Sequence, residues 1–93
     1  MVVGFLKIRL AIRGARSLKE KRQVLRSVKD RVKSKFNISI AEVDHHDIHQ
    51  SALIGMSVVA ADARHADSQL QQALALVSGH AEVVSVDMEL LNV

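Results

Sequence analysis

Positively charged side chains are concentrated in one segment of the sequence. Residues 17–36 hold eight of the 13 Lys and Arg residues but only two of the ten acidic residues. Five of the cations recur at intervals of three and four residues, a spacing that places them on one flank of a helix. These five, called the basic ladder below, are Lys19, Arg22, Arg26, Lys29 and Lys33. A row of cations about 21 Å long has the chemistry needed to contact several phosphates of a nucleic-acid backbone.

The start of the same helix is a second place where an anion could bind. Ser17 followed by Glu20 predicts a capping box, and the free backbone N–H groups there attract negative charge. Arg16 and Lys21 lie close by in the sequence. A phosphate-hydrolysing enzyme with this arrangement would also need an Asn on a central strand to orient water, and residues 51–61 contain none. We therefore expect no enzymatic activity and no catalytic residues.

A dense group of carboxylates and imidazoles follows the second predicted strand. It consists of Asp44, His45, His46, Asp47 and His49. These residue types suit zinc, nickel or iron, but neighbouring residues of an extended chain point in opposite directions. The alternative is a polar hairpin loop in which Asp side chains bond to nearby backbone N–H groups. We expect the loop, with no metal ligands and no cofactor.

Composition excludes several classes of function. The chain has no Cys, so disulfides, thiolate metal sites and thiol catalysis are absent. Two Phe and no Tyr or Trp leave few platforms for stacking unpaired bases. No apolar run reaches the roughly 18 residues of a membrane span, and Lys7 and Arg9 interrupt the only N-terminal stretch resembling a signal peptide. We expect a cytoplasmic protein that does not bind membranes.

Hydrophobic periodicity predicts four strands and two helices in one domain, residues 1–93. In chain order they are a strand over 2–12, a helix from the cap Ser17 to about Phe36, strands over 38–44 and 51–61, a helix over 63–78 and a strand over 81–91. This β-α-β-β-α-β order predicts an α+β fold, a ferredoxin-like sandwich. It has a four-stranded antiparallel sheet with both helices on one face.

The same periodicity assigns side chains to the core and to the surface. The buried flank of the first helix is predicted to be Leu18, Leu25, Val28, Val32 and Phe36, and that of the second Ala66, Leu70, Ala73, Leu74 and Val77. The core face of the last strand is predicted to be Val84, Val86, Met88 and Leu90. On the open face, Lys7 and Arg9 should face Asp87 and Glu89 across neighbouring strands, forming ion pairs. The remaining apolar residues there predict a homo-oligomer built on the open face.

Two strings of residues resemble the YlxP-like family of small bacterial proteins. They are Arg16-Ser-Leu-Lys-Glu-Lys-Arg22, after the amphipathic first strand, and Phe36-Asn-Ile-Ser-Ile-Ala-Glu-Val-Asp44. The resemblance covers essentially the whole chain and implies a ferredoxin-like fold in a bacterial cytosolic protein. Members are often encoded beside transcription-elongation, ribosome-maturation and translation-initiation factors, which implies work on RNA or the ribosome. The family has no assigned catalytic residues. One departure is His49, which stands where a Trp is usual.

Three functional hypotheses follow. The first is a non-enzymatic module that binds structured RNA or a ribosomal particle, without DNA specificity, through the basic ladder and Arg16. The second is a protein-interaction or oligomeric module with no nucleic-acid role, in which the basic helix docks an acidic protein. The third, which the missing Asn and the poor metal-ligand spacing disfavour, is a phosphate- or metal-dependent enzyme.

Overall fold

Four strands and two helices account for most of the chain. The computed structural model describes all residues from 1 to 93, with β1 (Val2–Ala11), α1 (Leu18–Lys35), β2 (Ser39–Asp44), β3 (Ser51–Ala60), α2 (Ala63–Ser78) and β4 (Glu82–Asn92). The strands form one antiparallel sheet in the order β2-β3-β1-β4. Both helices cover the same face of this sheet, and the predicted ferredoxin-like α+β fold is confirmed.

Strand β1 shows how the alternating sequence divides the sheet into two faces. Leu6, Ile8 and Leu10 are buried beneath the helices, while the residues between them are exposed on the open face. The same alternation holds in β3, where Ile54 and Met56 are buried. Because successive side chains of a strand point to opposite sides, the core lies entirely between the sheet and the helices.

The helices begin and end close to the predicted positions. In α1 the Oγ of Ser17 accepts a hydrogen bond from the backbone N–H of Glu20, at 3.2 Å. In α2 the carboxylate of Asp62 accepts one from the N–H of His65, at 2.8 Å. Of the predicted apolar flanks, Leu25, Val28, Val32, Ala66, Leu70, Ala73 and Val77 are buried, whereas Leu18, Phe36 and Leu74 are half-buried.

The prediction for the core face of β4 is partly wrong. The register with β1 shifts between Arg9 and Leu10, so that Arg9 lies opposite Ser85 and Leu10 lies opposite Val83. Val83 is half-buried against the core, while Val84 is 44% exposed. The cause is a β-bulge, in which one extra residue on β4 interrupts the alternation of faces.

The predicted ion pairs between β1 and β4 do not form. Lys7 does lie opposite Asp87, but the regular register on this side of the bulge places Glu89 opposite Phe5 and Arg9 opposite Ser85. The two ion pairs of the structure join Arg13 to Glu82 and Lys21 to Glu42. The open face therefore carries unpaired charges of both signs, not a network of salt bridges.

Lys21 is the one charged residue of the core. Its side chain is 1% exposed, and its Nζ donates hydrogen bonds of 2.6 Å to the carbonyl oxygens of His45 and Ile48. The same Nζ lies 2.7 Å from Oε2 of Glu42. That contact is ionic, since Oε2 is buried without a well-oriented hydrogen-bond donor. Helix α1 is thereby attached to both β2 and the loop that follows it.

The loop between β2 and β3 is shaped to make these contacts. His45 has a positive φ of 63°, a conformation uncommon for residues other than glycine. Its carbonyl oxygen also accepts a hydrogen bond from the N–H of Ile48, at 3.0 Å, which closes a tight turn. The turn directs two backbone carbonyls inward, where Lys21 supplies the charge that compensates their burial.

We predict that replacing Lys21 alone strongly destabilises the fold. Lys21→Met leaves the Glu42 carboxylate buried without its cation, which should cost about 3 kcal/mol of unfolding free energy. The double variant Lys21→Met/Glu42→Met should recover a large part of this loss, because both buried charges are then gone. Urea unfolding of the wild type, of the single variants Lys21→Met and Glu42→Met and of the double variant measures the coupling.

Lys19→Met is the matched control, since Lys19 is exposed on the same helix. It should change the unfolding free energy by less than about 0.5 kcal/mol. If the losses of unfolding free energy in Lys21→Met and Glu42→Met add up to the loss in the double variant, the two residues are not a coupled buried pair.

Candidate functional site

The basic ladder is displayed on the surface of α1. Lys19, Arg22, Arg26 and Lys33 are exposed, and Lys29 is half-buried at the border with the core. None of the five makes an ion pair or a side-chain hydrogen bond within the chain. Their ammonium and guanidinium groups therefore have hydrogen-bonding capacity for an external partner.

The ladder lies on the flank of α1 that is turned away from α2. Val24 and Ser27, on another flank, line a hollow with His80, which follows the end of α2. Lys21 occupies the flank directed toward β2 and the loop after it. Because successive residues of a helix are rotated by 100° about its axis, the ladder is on the side opposite to Val24 and Ser27. A large, rigid partner could therefore reach it without meeting the second helix.

Few acidic groups neutralise this flank. Glu20 is engaged at the start of the helix, where its carboxylate accepts a hydrogen bond from the backbone N–H of Arg16. Asp30 is exposed and has no ion-pair partner. Two further cations of α1, Arg31 and Lys35, are also exposed but occupy a different flank. The positive charge of the ladder is thus local to one side of the helix.

The start of α1 is less open to an anion than its sequence suggests. The Glu20 carboxylate already occupies the position that a phosphate would take, and it lines the adjacent hollow of about 580 Å³ together with Arg16. Lys21, which the sequence places near this end, points into the core. Arg16 is exposed at the start of the helix and lines this hollow together with Val24 and His80.

The loop with the histidines shows the local bonds of a polar hairpin. The carboxylate of Asp44 accepts a hydrogen bond from the backbone N–H of His45, at 2.7 Å, and Nδ1 of His45 lies 3.0 Å from Oγ of Ser51. No group of three or more His, Asp and Glu side chains is arranged to hold a metal ion. The side chains of His46, Asp47 and His49 are exposed.

Sequence reasoning overlooked Lys21, although a signal for it was present. Lys21 precedes Leu25 by four residues and Val28 by seven, so helical spacing places it on the apolar flank. Glu42 follows Ile40 by two residues, which places it on the core face of β2. Opposite charges on two core-facing positions predict a buried ion pair.

The exposed ion pair of Arg13 and Glu82 shifts the pKa of both side chains. Arg13 donates two hydrogen bonds to the carboxylate, of 2.9 and 2.8 Å. These hydrogen bonds and the opposite charge hold the pKa of Glu82 below its ordinary value of 4.5 and raise that of Arg13. The pair joins the turn after β1 to the start of β4.

We predict a small pH-dependent contribution from this pair. Because the pKa of Glu82 is lowered by folding, the stabilisation is complete above the unfolded pKa and is lost as the pH falls through the folded pKa. The difference in unfolding free energy between the wild type and Glu82→Gln should shrink below about pH 4.5. High salt should also reduce it. A difference that is the same at pH 7 and pH 3 would contradict this prediction.

No helix of the structure combines the length and apolar character needed to cross a membrane.

Comparisons with known proteins place the chain in a family. Residues 3–90 match the profile of DUF503, described as a protein of unknown function. The uncharacterized protein YlxP of Bacillus subtilis (strain 168) is 35% identical over 82 residues, which cover 88% of this chain and 89% of YlxP. Among solved structures, the de novo designed protein Foldit4 superposes with a TM-score of 0.56 at 12% identity, over 98% of this chain and 96% of that one, a likeness in fold alone. The chain therefore belongs to the DUF503 family, as the resemblance to YlxP-like proteins implied.

Proposed function

We propose that this protein is a non-enzymatic module that binds structured RNA, such as the RNA of a ribosomal particle, through the basic ladder and Arg16. The observation that carries the proposal is a flank of α1 whose cations have no partner within the chain and face away from α2. An RNA backbone supplies phosphates along a path comparable to the length of this row. The partner would be an RNA encountered in the cytoplasm.

The position of the aromatic residues supports contact with phosphates over contact with unpaired bases. Phe5 lies on the open face of the sheet, and Phe36 is half-buried at the end of α1 beneath the Nζ of Lys35. Phe5 is thus remote from α1 and Phe36 is only partly exposed, so the ladder has little ring surface on which unpaired bases could stack. Recognition by shape and charge suits a folded RNA.

Two further features support binding without catalysis. At the start of α1 the carboxylate of Glu20 holds the place that a phosphate substrate would need. In the loop after β2, Asp44 and His45 are engaged in local hydrogen bonds. Neither place offers the combination of nucleophile, base and oriented substrate that an enzyme requires.

We predict that reversing two exposed charges of the ladder abolishes most RNA binding. Arg22→Glu/Arg26→Glu should weaken binding to ribosomal RNA at least about tenfold at low salt and reduce the slope of log K against log salt by about 2. These two positions are preferred over Lys29, which is half-buried and contributes to packing. Filter binding or fluorescence anisotropy across a salt series measures both quantities.

Arg31→Glu/Lys35→Glu is the matched control, with the same change of net charge on a different flank of the same helix. It should retain most of the binding. If both double variants lose the same RNA affinity, net charge alone explains the loss, which contradicts a defined interface. An absence of wild-type binding even at low salt would overturn the proposal.

A further inference from the structure

The open face of the sheet contains a shallow apolar groove. Its floor is formed by small residues of β2 and β3, and its volume is about 460 Å³. The residues of β2 and β3 with small side chains are Ser39, Ala41, Gly55 and Ser57. Phe5, which is 43% exposed, stands on one side of the groove, and Val43 stands on the other.

A bulge in β2 creates the second wall. The register between β2 and β3 shifts between Glu42 and Asp44, which leaves Val43 without a partner of its own. The side chain of Val43 extends across Gly55, with Cγ1 3.0 Å from the position that a Cβ would take there. The depression thus depends on a glycine at position 55, and its wall is an exposed apolar side chain.

We propose that a second copy of this chain covers the open face, forming a two-fold symmetric dimer in which Phe5 of each copy enters the groove of the other. A protruding ring and a depression that lie side by side on one surface are self-complementary, which a two-fold interface requires. With the axis along the strands between β1 and β3, β1 of one copy lies over β3 of the other. Phe5 then faces Ser57, and Val3 faces the exposed Val59.

The charges on this face disfavour a nucleic acid as its partner. Lys7 and Arg9 on β1 lie beside Asp87 and Glu89 on β4, so the face has equal numbers of both signs. These side chains form no ion pairs within the chain. A polyanion would meet two carboxylates here, which is unfavourable.

The area of the sheet is sufficient for a specific interface. Four strands spaced about 4.8 Å apart, with about ten residues rising 3.3 Å each in the longer ones, cover about 600 Å². Two such faces bury about 1,200 Å² in total, the lower end of the range for specific complexes. The helices lie on the opposite face, so the dimer leaves the basic ladder of each copy accessible.

Sedimentation equilibrium tests the proposal. The wild type should sediment at about twice the monomer mass of 10.2 kDa. Phe5→Lys should raise the dissociation constant at least about 100-fold, because it removes the ring and buries a charge in the groove. The new cation would lie opposite Glu89, so the monomer itself should fold. Ala41→Glu, which fills the groove from an exposed position on the edge strand and faces Asp87 of the other copy, provides a second variant should the first fail to fold.

Val86→Lys is the matched control. Val86 is 40% exposed, close to the value for Phe5, but it lies opposite Ile8 on the helix-covered side of the sheet. It should leave the dimer mass unchanged, as should the double variant Arg22→Glu/Arg26→Glu. A wild type that remains monomeric at micromolar to millimolar concentration overturns the proposal. A dimer that withstands both groove variants overturns it as well.

Discussion

The buried contact of Lys21 with Glu42 is the constraint on which the placement of α1 depends. A charge in the core is tolerated only when its partners are held in place, and here they are a carboxylate from β2 and two carbonyls of the following loop. Moving or rotating α1 would separate these groups and leave a cation and a carboxylate buried apart. Because the apolar contacts of Leu25 and Val28 tolerate small shifts better than a buried charge does, the ion pair sets the rotation of the helix. That rotation directs the basic ladder to solvent.

Two surfaces with different chemistry result from this arrangement. One is the flank of α1 with the ladder, where cations without partners dominate. The other is the open face of the sheet, where an apolar groove lies beside equal numbers of positive and negative side chains. The surfaces are on opposite sides of the molecule, so a dimer formed through the sheet would have a basic helix on each outer side. The proposed RNA binding and the proposed self-association would therefore depend on different residues, and mutation would separate them.

Much of the fold follows from local signals in the sequence. Alternation in β1 and β3, the helical spacing in α1 and α2, and the caps Ser17 and Asp62 placed each element within one or two residues of its observed bounds. The exposure of four of the five ladder residues follows from the same helical spacing. The errors have two physical origins. Val84 was misplaced because a bulge in β4 interrupts the alternation of faces, and a bulge leaves no signature in the periodicity of one strand. The expected ion pairs do not form because the register of β1 with β4 places Ser85 opposite Arg9 and Phe5 opposite Glu89, and the periodicity of each strand does not fix that register.

Element types, core faces and the location of positive charge were thus decided by the order of residues along the chain, because these properties depend on intervals of two to four residues. The register of β1 with β4, the bulge at Val43 and the inward turn of the loop after β2 were decided by tertiary structure. They depend on pairing between residues far apart in sequence. The burial of Lys21 depends on both the sequence order and the tertiary structure. Helical spacing directs it toward the core, but only the packed structure supplies the carboxylate and the two carbonyl oxygens that allow a charge to remain there.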